Sequence, residues 1–86
     1  MKAGRPVEDR PVFNGDLART LRRRAGISAV VMGRKVASAA GLRLPISQSS
    51  ILAWERCMYR PSYRVVEAIA KVLDVAPYKL ITEKTP

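Results

Sequence analysis

Apolar residues recur every three or four positions along most of the chain, the period of helices that bury one face. Leu17 and Leu21 lie four apart with Ala18 and Ala25 beside them, Asn14 or Asp16 can cap the start, and Gly26 marks a stop. Ser28 caps a second helix running through Ala40, with Met32, Val36 and Ala40 on one stripe, Ala39 widening it and Gly41 ending it. Gly33 inside that helix costs about 1 kcal/mol relative to alanine, which predicts an irregular first turn. Leu42 to Ile46 contains Pro45 and has to turn the chain. A third helix starts at the cap Ser47 and ends near Arg56 or Cys57. Its anchors Ile51 and Trp54 share one apolar face, while Gln48, Ser49, Leu52, Ala53 and Arg56 fall on the other. After the break Arg60-Pro61-Ser62, Ser62 caps a fourth helix, Tyr63 to Leu73, in which Val65, Val66, Ile69, Val72 and Leu73 form a face too wide for solvent. Asp74-Val75-Ala76 connects to a fifth, brief helix from Pro77 to about Ile81, docked by Leu80 and Ile81. No β-type alternation and no internal repeat is visible. The expectation is an all-α fold, a compact bundle of five short helices over residues 14–82, preceded by a flexible arm (1–13) and followed by a short tail (83–86).

Composition narrows the chemistry. At 86 residues this is one small domain, of a size that buries only roughly 60% of its unfolded surface and makes a deep catalytic cleft improbable. There is no histidine, and Cys57 is the single cysteine, which excludes an internal disulfide, a Cys/His metal site and a histidine-activated nucleophile. The chain is therefore expected to be no enzyme and to use no metal, cofactor or small-molecule substrate. The run Ala25 to Gly33 is far too short to span a bilayer and no signal-peptide pattern is present, so the expected location is cytoplasmic. Sixteen Lys and Arg against seven Asp and Glu give a net charge of +9, which calls for a polyanionic partner. The basic residues are spread over several helices, a poor pattern for a membrane surface. Lys2, Arg5 and Arg10 make the arm either a DNA tether or a solvated tail diluted by Glu8 and Asp9. Arg22, Arg23 and Arg24 either complement the first helix's negative end or form a solvated face.

The ordered set Leu17…Leu21-Arg22…Gly26-Ile27-Ser28, Val36-Ala37…Gly41, Ser47…Ile51…Trp54-Glu55-Arg56, and Pro61-Ser62…Ile69-Ala70…Leu73…Val75…Leu80 resembles the lambda-repressor-like helix-turn-helix domain of the Cro or XRE class. The resemblance covers about Asn14 to Ile81 and is most specific at Ile-x-x-Trp-Glu-Arg and the run after Arg60-Pro61-Ser62. It implies that helices two and three form the helix-turn-helix, with the third lying in a major groove. Gln48 and Ser49 match positions that touch base edges; a glutamine amide can pair with adenine N6 and N7. Ala53 matches a groove-facing position, and Leu52 either contacts a thymine methyl or packs. Arg60 matches a backbone-gripping loop position; Ser47, Ser50, Arg34, Lys35, Arg43, Arg56, Tyr59 and Arg64 are further phosphate candidates. A carboxylate facing phosphates would be repelled, so Glu55 is expected to be structural, and the family pairs this acid with the position of Arg22.

Four departures stand out. About four extra residues lie between Ser28 and Val36, and the glutamine usual near the start of helix two is replaced by Ala29 or Gly33. The turn from Gly41 to Ser47 is long and carries Pro45. Cys57 stands where a glycine usually ends helix three, which puts its left-handed cap in question.

The resemblance implies a transcriptional regulator of double-stranded DNA, foremost a repressor that occupies a palindromic operator as a homodimer, in the format of small plasmid or phage regulators. The surplus apolar face of helix four, with helix five and the tail, is the expected dimer surface. The alternative is an antitoxin-type protein that also binds a protein partner, for which the residues after Thr82 offer little. An RNA-binding or purely protein-binding module is a further rival, but helix three exposes no stacking aromatic.

Overall fold

A computed structural model describes residues 11–82. In order, the elements are strand β1 (Val12–Phe13), helices α1 (Gly15–Arg24), α2 (Ala29–Ala40), α3 (Gln48–Glu55) and α4 (Tyr63–Leu73), a 3₁₀ turn (Pro77–Leu80) and strand β2 (Ile81–Thr82). Each α-helix starts at a side-chain oxygen. The amide of Leu17 donates to Asn14 at 3.1 Å, Val31 to Ser28 and Ser50 to Ser47 at 3.2 Å, and Val65 to Ser62 at 3.4 Å. One of the otherwise orphaned first-turn amides is thereby satisfied in every helix.

The four helices also end alike. Gly26, Gly41, Cys57 and Asp74 take left-handed conformations with φ of 72°, 75°, 61° and 60°. At Cys57 its own amide donates to the Trp54 carbonyl at 3.0 Å and the Met58 amide to Ala53 at 2.9 Å, the double bond of a Schellman ending. The cap questioned from the sequence is therefore formed, without the glycine. A side chain in this region costs about 1–2 kcal/mol, partly offset by the extra unfolded-state freedom of a glycine. Cys57→Gly should consequently raise the unfolding free energy by about 0.5–1 kcal/mol in urea titration, and the β-branched Cys57→Val should lower it. A loss on Cys57→Gly would mean that the thiol's contact with the Phe13 carbonyl, at 4.0 Å, outweighs the strain.

Two expectations need correction. The bundle has four α-helices, not five: Pro77–Leu80 is a 3₁₀ turn and Ile81 belongs to a strand. Four residues allow little more than one turn, and the Lys79 amide closes an i→i+3 bond on Ala76 at 3.0 Å. Secondly, Val12 and Phe13, assigned to the arm, are part of the fold. They pair antiparallel with Thr82 and Ile81, and the Asn14 amide extends the ladder to the Leu80 carbonyl at 2.7 Å. Phe13 is buried and lines a small apolar pocket with Ala18, Met32, Ile51, Trp54, Glu55 and Ile69. Strands of two residues contain no alternation to detect, so periodicity could not have shown them. Residues 1–10, with Lys2, Arg5 and Arg10, and residues 83–86 lie outside the described residues.

The centre of the core is the contact of α2 with α4. Val36, Val66 and Leu80 are fully buried there, with Met32, Ala40, Ile69 and Ala70 around them. Much of the wide apolar face of α4 is used within the chain. Val66, Ala68, Ile69 and Ala70 are buried, and Val65, Val72 and Leu73 pack against the same cluster. The face expected to dock a second copy thus serves the core for the most part, with Val65, Val72 and Leu73 keeping partial exposure.

Gly33 does not disorder α2, which is helical from Ala29 to Ala40. Its use is steric. A Cβ there would overlap the carbonyl of Ile46, whose amide donates to the Gly33 carbonyl at 3.2 Å. The long turn from Gly41 therefore folds back across the middle of α2 before α3 begins.

Candidate nucleic-acid interface

Helix α3 is held at three places. At its start, Ile46 sits on Gly33 of α2. At its end, Gly15 of α1 lies so close that a Cβ would stand 2.6 Å from the Trp54 carbonyl oxygen. Between α1 and α3, Arg22 and Glu55 form a bidentate pair, with Nε to Oε2 at 2.6 Å and Nη2 to Oε1 at 3.0 Å. The third guanidinium nitrogen, Nη1, donates to the Ile27 carbonyl at 2.9 Å, so one side chain ties α3 to the end of α1 and the approach to α2. Both residues are buried. The Glu55 hydrogen bond raises the Arg22 pKa above its ordinary value, desolvation works against it, and the Coulomb attraction adds to the rise.

This anchoring decides which face of α3 remains available. Ile51 is buried and Trp54 is half-buried against the core, a lesser burial than its role as anchor implies. On the other side Gln48 and Ser49 are exposed, as is Arg56 two turns further on. Leu52 and Ala53 are half-buried, and Leu52 packs against the core edge. Of the proposed base-edge set, the structure leaves Gln48 and Ser49 open and draws Leu52 and Ala53 partly inward. Ser47 caps α3 and its hydroxyl also donates to the Ser50 hydroxyl at 3.1 Å, so both serines already have local bonds at the first turn.

The basic residues divide into groups. Arg34 and Arg43 line a groove of about 260 Å³ with Leu42, Leu44 and Pro45, in the turn that leads into α3. Lys35 is not with them: it lines another groove, between α2 and α4, with Lys71, Ile27 and Val72. Arg56 and Tyr59 are exposed at the end of α3 and in the following loop, and Arg60 is half-buried before Pro61. Arg64 donates through Nη2 to the Ala40 carbonyl at 2.6 Å, closing the end of α2. Arg64, a phosphate candidate by its charge, thus also has a bond inside the fold while its side chain stays exposed. Sequence reasoning missed Gly15 altogether and misjudged Gly33. A glycine inside a helical period signals only a local cost and does not name the distant backbone it meets.

No helix among the described residues is long and apolar enough to cross a membrane. No curated protein and no solved structure matches the chain. Residues 15–79 match the family described as helix-turn-helix domain. That span takes in all four α-helices, including the α2–α3 unit and the Arg22–Glu55 brace. The chain belongs to the helix-turn-helix domain family, a DNA-binding class.

Proposed function

We propose that the protein is a sequence-specific transcriptional repressor that binds a palindromic operator in double-stranded DNA as a homodimer, with α3 in the major groove. One observation carries this reading. The face of α3 opposite its buried anchors exposes Gln48 and Ser49, on a helix fixed at both ends, the far end braced by the Arg22–Glu55 pair. Rigid support is what a base-reading helix needs, because hydrogen bonds to base edges tolerate little misplacement. Gln48 is the main reader, through its amide, and Ser49 assists. Ala53 and Leu52 supply apolar contact at the inner edge of the same face. Arg34 and Arg43 before the helix, and Arg56, Tyr59 and Arg60 after it, hold the backbone, as a net charge of +9 favours. Ser47 and the Ser50 hydroxyl add to that grip at the first turn of α3.

Selection of bound sequences from random duplexes tests it. The expected product is an inverted repeat with half-sites about one helical turn, ~34 Å, apart. Gln48→Ala should relax preference at one base pair in each half-site, at a cost of about 1–3 kcal/mol there. Equal binding to all duplexes would defeat the repressor reading, and a uniform loss in Gln48→Ala would make Gln48 a backbone contact.

A further inference from the structure

Between α1 and α3 lies a polar cavity of about 140 Å³, lined by Arg19, Arg22, Arg23, Leu52, Glu55 and Arg56. Arg22 and Glu55 neutralise each other at its inner side. That leaves three guanidinium groups around one small volume, and among the described residues no carboxylate pairs with Arg19, Arg23 or Arg56. Arg19 and Arg23 are one turn apart on the same face of α1, an arrangement that weakens a helix by like-charge repulsion. A local conflict of this kind, without a partner inside the fold, marks a surface arranged for an external anion. We propose that this cavity is a phosphate site, and that its occupant is a backbone phosphate of the DNA bound by α3; this rests on the DNA-binding reading above.

Placement selects that occupant. Gln48, Leu52 and Arg56 follow one another at four-residue steps along the outer face of α3, so the cavity opens at the far end of the face that begins with Gln48. Eight residues of helix rise about 12 Å, and the B-DNA major groove is about 12 Å wide. With Gln48 at base edges, the Arg19–Arg23–Arg56 cluster therefore stands at the groove wall, where phosphates lie. Two features oppose an anion here: the Glu55 carboxylate and the negative C-terminal ends of α1 and α3. Arg22 engages both Glu55 oxygens, the Ala53 and Trp54 carbonyls accept from Met58 and Cys57, and the Arg22 and Arg23 carbonyls accept from Ile27 and Gly26, so both are largely offset.

Arg19→Gln, Arg23→Gln and the double variant test the site, with Arg24→Gln as control, since Arg24 lies on the same helix and does not line the cavity. Gln and Arg have similar helix propensity, so the fold should be kept and melting temperatures should not fall. Each of the two pocket variants should weaken binding equally on all duplexes and reduce the slope of log K against log salt by about 1 per bound protomer. The control should change neither. Wild-type affinity and slope in the double variant would overturn the site while leaving the DNA-binding reading intact. Absence of duplex binding by the unaltered protein would remove both. Titration of inorganic phosphate or pyrophosphate into the protein alone separates the remaining source. Only weak, salt-like binding is expected; tight binding lost in the double variant would assign the cavity to a free phosphate ligand and overturn the DNA assignment.

Discussion

Gly33→Ala should destabilise the protein by about 2 kcal/mol or more, although the same change in an exposed helix interior stabilises by about 1 kcal/mol. The sign is decided by the Ile46 carbonyl. A methyl on Gly33 would overlap that oxygen, which is backbone and cannot rotate aside. The segment must then retreat by more than an ångström to reach ordinary contact, and the bond from the Ile46 amide to the Gly33 carbonyl lengthens or breaks. Ile46 immediately precedes the Ser47 cap, so the retreat also moves the start of α3. Affinity for a selected operator should consequently fall by more than the change in folded fraction explains. Urea titration of Gly33→Ala beside Ala39→Gly, an exposed position of the same helix, separates the terms. Both should lose stability, Ala39→Gly by about 1 kcal/mol from propensity alone. A gain in Gly33→Ala would show that the turn does not lie on α2 in solution.

The difference between the sequence reading and the structure follows a physical division. The helices were legible because each carries a period, a capping oxygen and a stop, all encoded within a dozen neighbouring residues. Asn14, Ser28, Ser47 and Ser62 announce their roles locally, and all four make the corresponding bond. Gly33 and Gly15 were not legible, since their partners Ile46 and Trp54 are distant in sequence and a glycine leaves no side chain to betray a contact. Val12–Phe13 and Ile81–Thr82 escaped for a related reason. Two residues show no alternation, and their pairing joins the two ends of the described chain. Cys57 illustrates the converse: the position was recognised and its residue type argued against the cap, yet the chain takes the left-handed conformation because two carbonyls of α3 require donors. In the candidate interface, charge indicated which residues could meet phosphate. Only the fold divides them, turning Arg64 to the Ala40 carbonyl and grouping Arg19, Arg23 and Arg56 around one cavity.

Removing either partner of the Arg22–Glu55 pair should cost about 3–5 kcal/mol, because the survivor is left as a buried, unpaired charge. Glu55→Ala deprives Arg22 Nε and Nη2 of their acceptors and leaves only the bond from Nη1 to Ile27. Arg22→Ala leaves the carboxylate facing α1 with no donor from it. Arg22 itself introduces no pH dependence near neutrality. Its pKa is raised in the fold, so its contribution is complete below the unfolded value and is lost only as pH climbs through the folded one, above the ordinary arginine range. The pair's net worth is a separate matter from the penalty of breaking it. Arg22→Met with Glu55→Leu replaces both charges by apolar groups of similar reach, and such exchanges are often neutral or stabilising. The double variant should therefore recover most of the lost stability, giving a coupling energy well above the ~0.5 kcal/mol expected of independent sites. DNA binding should not recover with it. Apolar packing lacks the direction imposed by two parallel hydrogen bonds and a third to Ile27, so α3 regains a place on α1 without a fixed bearing. Affinity for the selected operator should stay reduced while nonspecific binding, dominated by phosphate contacts, returns to the wild-type level. Full recovery of operator affinity in the double variant would reduce Arg22 and Glu55 to a replaceable piece of core; unchanged stability in the single variants would remove them as a brace altogether.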